Sequence, residues 1–261
     1  MSFPNVFIGN LGVNMQAQQI KKLNEKAAGL NAIGLIKVAF DEFGSRVSFA
    51  TSLGEEDQVI TDMIAKVAPG IEVFTLDTGR LFVETYDLMA KNQKKYSKLN
   101  FKIYYPDTKH VEEMVRIKGI NLFYESVENR KLCCHVRKVE SLQRALANMD
   151  AWIVGLRRDQ AETRAALEPV EWDEANKKIK FNPLYNWSLE QVRDYIKKNN
   201  VDVSPLHAQG FVSIGCAPCT RAIKPGEDIR AGRWWWEMPE GKECGLHDNP
   251  KWKGNKQNLS S

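Results

Sequence analysis

The sequence predicts an α/β fold built on a mainly parallel sheet, and three observations carry that expectation. From about residue 45 onward, apolar runs of strand length alternate with segments of helical period. The run "DAWIVGLR" at 150–157 lacks in-out alternation, as a strand covered on both faces does. A chain of 261 residues with 43% hydrophobic composition can also bury one sizeable core.

Taken in order, residues 17–43 have mixed helical periodicity, and "SRVSFATS" then reads as a short apolar strand. "EEDQVITDMIAKVA" is a helix with acids in its first turn, "IEVFTLDT" a strand, "RLFVETYDLMAKNQKKY" a helix and "FKIYYP" a strand. Such alternation calls for parallel strands with covering helices. A helical stretch containing "KLCCHVRKVESLQRALAN" leads into the 150–157 strand, and "IKFNPLYNW" reads as a further one. Ser188 with Gln191 three positions on forms a capping box opening "LEQVRDYIKKN". From about Pro225 glycine, proline and charge take over, so residues 1–225 are read as one α/β domain and 226–261 as a mobile C-terminal tail.

The formal net charge is +4, from 37 basic and 33 acidic side chains, which gives no global field for nucleic acid or membrane. The N-terminus has neither the charged start nor the apolar run of a secretory signal, and no apolar stretch reaches membrane-spanning length. The expectation is a cytoplasmic protein without membrane or nucleic-acid partners. In a reducing compartment, cysteines in close spacing bind metal or do redox chemistry more often than they form bridges.

Four groups of residues stand out chemically. The strand-to-helix junction "FATSLGEEDQV" offers hydroxyls, a glycine and helix N–H groups through Thr51, Ser52, Gly54 and Asp57, an anion or nucleotide cradle. A second strand end, "LDTGR" with Thr78 and Gly79, can face the same crevice. Cys133 and Cys134 are adjacent, and Cys216 and Cys219 form a C-x-x-C about 80 residues later. Zinc sites usually separate paired ligands by two to four residues, so the adjacent pair leans toward an iron–sulfur cluster. Lys138, Arg157, Arg158, Arg164, Arg230 and Arg233 form a set of cations suited to phosphate or sulfate. Trp234 to Trp236 suit either a core or a wall beside a ligand. Cys244 stands alone near His247, where nearby cations would raise its thiolate fraction.

Together, "SLGEED", "LDTG", "CC" followed by "RK", "GLRRDQAETR", "IGCAPCTR", "GRWWWE" and "ECGLH" resemble the assimilatory adenylyl-sulfate (APS) reductases, relatives of the phosphoadenylyl-sulfate reductases, over roughly residues 40–250. The resemblance implies a nucleotide-binding fold related to the PP-loop ATP pyrophosphatases (adenine nucleotide alpha hydrolase-like). It implies one [4Fe-4S] cluster on Cys133, Cys134, Cys216 and Cys219, and a nucleophile at Cys244 in the tail. It further implies Lys138, Arg164, Arg230 and Arg233 around the phosphosulfate, and adenosine along Thr51 to Asp57, Thr78 and Gly79 with Gly155 behind it. His247 would position or activate the thiol. The implied reaction converts adenosine 5′-phosphosulfate to sulfite and AMP through an S-sulfocysteine, with thioredoxin or glutaredoxin as a separate reductant. Family members that use only the 3′-phosphorylated substrate typically lack the two cysteine pairs, and the family often forms dimers or tetramers. The turn departs from the S-G-G-x-D-S of the ATP-cleaving relatives, which argues against an adenylating or tRNA-thiolating enzyme.

Overall fold

Among the residues described by the computed structural model, 6–160 and 164–238 with side chains from residue 15 on, six strands form one sheet in the order β3-β2-β1-β4-β6-β5. The strands are β1 (Val47–Ala50), β2 (Glu72–Leu76), β3 (Phe101–Tyr104), β4 (Ala151–Ile153), β5 (Val170–Asp173) and β6 (Lys178–Phe181). The pairs β1/β2, β2/β3, β1/β4 and β4/β6 are parallel, and β5 pairs antiparallel with β6 as an edge. The chain steps outward from β1 to β2 and β3, then returns to lay β4 on the other side of β1. That reversal creates a crevice outside the carboxyl ends of β1 and β4.

The helices are α1 (Val6–Ala27), α2 (Ala32–Phe43), α3 (Glu55–Val67), α4 (Val83–Lys95), α5 (Thr108–Lys118), α6 (Val127–Cys134), α7 (Glu140–Leu146) and α8 (Leu189–Asn199). Alternate side chains of each strand feed opposite faces, because the side-chain period of a strand is two. Val47, Phe49, Val73, Ala151 and Ile153 join the core beneath α2 and α3, while Phe74, Trp152 and Val154 meet Leu142 and Leu146 of α7.

Several expected boundaries moved for identifiable reasons. The helical stretch at 17–43 is broken where Gly29 takes φ +74° and Asn31 caps α2 by accepting from the Gly34 amide at 3.0 Å. The strand expected at 179–187 stops at Phe181, where the Asn182 side chain donates to the Glu168 carbonyl at 2.7 Å and turns the chain. Strand β5 escaped the sequence reading because four residues beside Pro169, half of them acidic, carry little strand signal. The expected capping box is present, with Ser188 and Gln191 bonding reciprocally. Among the described residues no helix is long and apolar enough to cross a membrane.

The segment from residue 226 onward was expected as a tail, yet its described part packs against the body. Thr220 bridges Arg233 in antiparallel fashion, and Trp234 is 1% exposed beneath Arg130 and Arg233. Composition hid this because the packing is carried by two tryptophans, Trp234 and Trp236, set among glycines and charges. Residues 239–261, with Cys244 and His247, lie outside the described residues.

Phe49 is fully buried at the centre of β1. Phe49→Ala is expected to cost about 3–5 kcal/mol, read as a lower urea midpoint with an unchanged m value.

Candidate active site

Two cavities adjoin at the carboxyl edge of the sheet. The larger, about 470 Å³, is lined by the turns after β1, β2 and β4 and by residues 212–215, 229, 230, 233 and 234. Of the residues singled out in the sequence, Thr51, Ser52, Gly54, Asp57, Thr78, Gly155, Arg164, Arg230, Arg233 and Lys138 all line it. Gly79 does not. It takes φ +70° in the turn after β2, and a Cβ there would stand 3.4 Å from Arg137 Nη1, in the wall between the two cavities.

The turn from β1 into α3 is held by its own side chains. Leu53 sits at φ +65°, a costly conformation for leucine, offset by its burial against Leu88 and Met89. Thr51 Oγ1 accepts from the Leu53 amide at 3.0 Å. Asp57 Oδ2 accepts from both the Ser52 amide and the Ser52 hydroxyl at 2.6 Å, so its carboxylate clasps the loop. Its other oxygen fills the space above Gly155, where an added Cβ would lie 2.1 Å from Oδ1. The glycine at 155 is therefore explained by the carboxylate it admits. Burial pushes the Asp57 carboxyl up to about 6, with Glu56 adding to the rise and the Ser52 bonds opposing it.

Charge is divided between the two ends of the crevice. Glu55, Glu56 and Asp57 occupy the first turn of α3 and already complement its N-terminal dipole. Arg157, one of the cations noted in the sequence, is 5% exposed and ion-paired with Glu56 at 2.8 Å, so it offsets one of those carboxylates. Arg158 stacks on Tyr185 at 4.9 Å and bonds the Leu167 carbonyl, outside the crevice lining. Arg164 Nη1 donates to Gln160 within the lining. Lys138 lines the second cavity as well, Arg233 acts electrostatically on Cys219, and Arg230 lines the crevice. Arg233 rests 4.7 Å over Trp234, and Gly215 leaves room for its guanidinium, since a Cβ there would meet Nη2 at 2.4 Å.

The second, smaller cavity is lined by all four paired cysteines together with Arg80, Phe123, Arg130, Arg137, Lys138 and Pro218. None of the four forms a disulfide. Cys133 and Cys134 end α6, whose chain runs on through a π-helical segment, His135–Val139, into α7. Lys138 lies within this π segment, lines the cavity with the four cysteines and acts electrostatically on Cys219. Cys216 and Cys219 flank a 3-10 turn containing Pro218, with the Cys219 amide donating to the Cys216 carbonyl at 2.9 Å. The Ala217 amide donates to the Arg80 carbonyl at 2.8 Å, and Thr78 Oγ1 lies 3.2 Å from Cys216 Sγ, tying that turn to the end of β2. Burial pushes the Cys219 thiol up to about 12, raised further by Cys216 and Cys133 and lowered by Lys138 and Arg233. Cys133 is also raised by burial, with Arg137 opposing.

Lys138 lines both cavities. Sequence reasoning gave no role to Arg80 and Arg137, although both stand in quoted motifs, directly after "LDTG" and directly before Lys138. Arg137 is 9% exposed and donates to the Thr78 carbonyl at 2.7 Å, so it pins the β2 turn to the cysteine helix. Ser213 to Gly215, which line the crevice just before Cys216, were also missed, since short polar loop residues carry no signal of their own.

The phosphoadenosine phosphosulfate reductase domain family matches residues 46–222. The chain is similar to the adenosine 5′-phosphosulfate reductase of Burkholderia cepacia, 47% identical over 223 residues that cover 85% of this chain and 89% of that one. Its fold is similar to the crystal structure of phosphoadenylyl-sulfate reductase from Candida auris in complex with phosphate. There the TM-score is 0.68 and the identity 30%, covering 85% of this chain and 99% of that chain. The FMN adenylyltransferase of Candida glabrata, with TM-score 0.50 and 16% identity over 87% of this chain and 75% of that one, shares the fold alone.

Asp57 yields a pH prediction with a definite sign. Its carboxyl stands near 6 when folded against about 3.9 in an unfolded chain, so the native state holds more protons between those values. Stability therefore falls as pH rises from about 4 to 6, by an order of 2–3 kcal/mol. Asp57→Asn is expected to flatten this slope in urea titrations at several pH values; an unchanged slope contradicts the assignment.

Proposed function

The chain belongs to the phosphoadenosine phosphosulfate reductase domain family, and on that premise we propose that it reduces adenosine 5′-phosphosulfate to sulfite and AMP. The observation that carries this reading is Lys138, whose side chain lines both the crevice and the four-cysteine cavity. Adenosine is assigned to the end formed by Thr51 to Asp57, beside Thr78 and Gly155. The phosphosulfate is assigned to the cationic end, because the acidic first turn of α3 disfavours a further anion there.

The sulfur of the phosphosulfate is the electrophile. Cys244 Sγ, after losing its proton to solvent, attacks it; an S–S bond forms as the S–O bond breaks, and AMP departs with the bonding pair. Lys138, Arg164, Arg230 and Arg233 neutralise charge as it gathers on the leaving phosphate oxygens, a role fixed cations also take in phosphoryl transfer. A dithiol protein such as thioredoxin or glutaredoxin then attacks the S-sulfocysteine, releasing sulfite and ending as a disulfide. His247 is assigned to orienting the Cys244 thiol.

Cys133, Cys134, Cys216 and Cys219 suit a [4Fe-4S] cluster. Among the described residues no three His, Cys, Asp or Glu side chains converge closely enough to hold a single metal ion. A cluster instead takes its four thiolates at four separate irons, so its ligands stand further apart. Burial raises the Cys133 and Cys219 thiols, so holding a cluster there would release their protons. When bound, the cluster would supply fixed charge and bracing beside Lys138, with no electron required of it.

The 3′-phosphorylated nucleotide is the second reading, favoured by the likeness to the Candida auris enzyme. Sulfite release from both nucleotides, with thioredoxin and anaerobically prepared protein, tests the assignment: faster turnover of the unphosphorylated compound is expected, and no sulfite from either sinks the reading. Cys244→Ser is expected to abolish sulfite formation while nucleotide affinity persists. Lys138→Ala should lower the rate about 10²–10³-fold with iron content retained, checked by single-turnover assay and iron analysis.

A further inference from the structure

Asp57 is 7% exposed, and its two carboxylate oxygens are used differently. Oδ2 accepts from the Ser52 amide and hydroxyl, both at 2.6 Å. Oδ1 meets no donor among the described residues, although the side chain lines the crevice. A desolvated carboxylate oxygen left without a partner costs free energy, and a donor on a ligand removes that cost.

The surroundings say which donor fits. Phe74, Leu76, Trp152 and Val154 give the crevice an apolar floor suited to a nucleobase. Gly155 follows Val154 directly, and Oδ1 stands 2.1 Å from where its Cβ would be, so the carboxylate marks the edge of that floor. The sugar of a base lying on the floor comes to this edge. The cations paired with the first turn of α3 are Arg157 on Glu56 and Arg193 on Glu55, engaged by those neighbours rather than by Asp57. Burial and Glu56 push the Asp57 carboxyl up and only the Ser52 bonds oppose them, so no cation of the described residues stands ready there for a phosphate. A carboxylate in such a place accepts from a ribose hydroxyl and repels a phosphate on the same ribose carbon, the division that acidic residues make between ribose and phosphorylated ribose in dinucleotide folds.

We infer that Asp57 is a specificity-determining residue: its Oδ1 accepts a hydrogen bond from the ribose 3′-hydroxyl of the bound nucleotide, and its charge rejects a 3′-phosphate. This rests on adenosine occupying the end of the crevice assigned to it above, and not on the thiol chemistry or on a cluster. Ser52 holds Oδ2 and Gly155 leaves room for Oδ1, so the carboxylate is fixed before the nucleotide arrives. A hydrogen bond to a charged group corresponds to about ten- to a hundredfold in affinity. A phosphate monoester carries about two negative charges, and like charges brought together cost about a hundredfold or more.

Calorimetry on full-length, anaerobically prepared protein at mildly alkaline pH, where the carboxyl is ionised, compares AMP, 3′-deoxy-AMP and adenosine 3′,5′-bisphosphate. AMP is expected to bind about a hundredfold tighter than the bisphosphate and about tenfold tighter than 3′-deoxy-AMP. Asp57→Asn keeps the shape above Gly155 and removes the charge. It is expected to bring AMP and the bisphosphate within about tenfold of each other, chiefly by tightening the bisphosphate. In that variant, loss of the 3′-hydroxyl should cost less than about threefold, a coupling that a merely slackened loop would not give. An Asp57→Asn protein that keeps the parental ratio between AMP and the bisphosphate overturns the assignment. Where the variant fails to fold, the unaltered protein still decides: equal affinity for AMP and the bisphosphate, or for AMP and 3′-deoxy-AMP, overturns the role of Asp57 while leaving the adenosine seat standing. Failure of AMP and the bisphosphate alike to bind the unaltered protein overturns the seat itself, and the proposed function with it.

Discussion

Parallel strands end on the same edge of their sheet, and everything chemical in this protein follows from that constraint. The turns after β1, β2 and β4 are brought side by side although their residues stand about 25 and 75 positions apart. The long excursion between β3 and β4 then carries the first cysteine pair to the same edge. The chain after α8 brings the second pair back to meet it, with the Ala217 amide bonded to the Arg80 carbonyl at the end of β2. Neither cavity exists without the sheet, and neither is built from sheet residues alone.

Much of this was legible in the sequence because periodicity reports burial. The parallel core, the β1 and β2 turns and the cysteine pairs announced themselves through alternation, glycine placement and ligand spacing. Three features did not. The four-residue edge strand β5 owes its existence to pairing with β6 and carries almost no local propensity. The packing of residues 226–238 depends on partners far away in the chain, notably Arg130 for Glu237. The π-helical segment at His135–Val139 alters which residues share a face, which a sequence read with α-helical spacing does not anticipate.

The arginines show why charge type alone misleads. Arg157 and Arg233 look alike in the sequence, yet the first is spent on Glu56 while the second lies at the crevice wall, resting on Trp234. Arg130 is more deeply buried still and meets Glu237 with both forks. Removing one member of such a pair strands the other in low dielectric, at a cost of about 3–5 kcal/mol. Guanidiniums thus divide into those that hold the frame and those that line the crevice, a difference set by packing rather than by charge.

The acidic first turn of α3 has a bearing on competition among anions. A bare helix N-terminus attracts any phosphate in reach, with little regard for what the phosphate is attached to. Here Glu55, Glu56 and Asp57 already sit in that field, and Arg157 on Glu56 and Arg193 on Glu55 return two positive charges to it, leaving the Asp57 carboxyl held by Ser52. A molecule with negative charge at both ends, such as a nucleoside triphosphate seated in reverse, meets repulsion at one of them. Selection between phosphate compounds and a sulfated nucleotide would then be exercised by carboxylates that need not touch the reacting atoms.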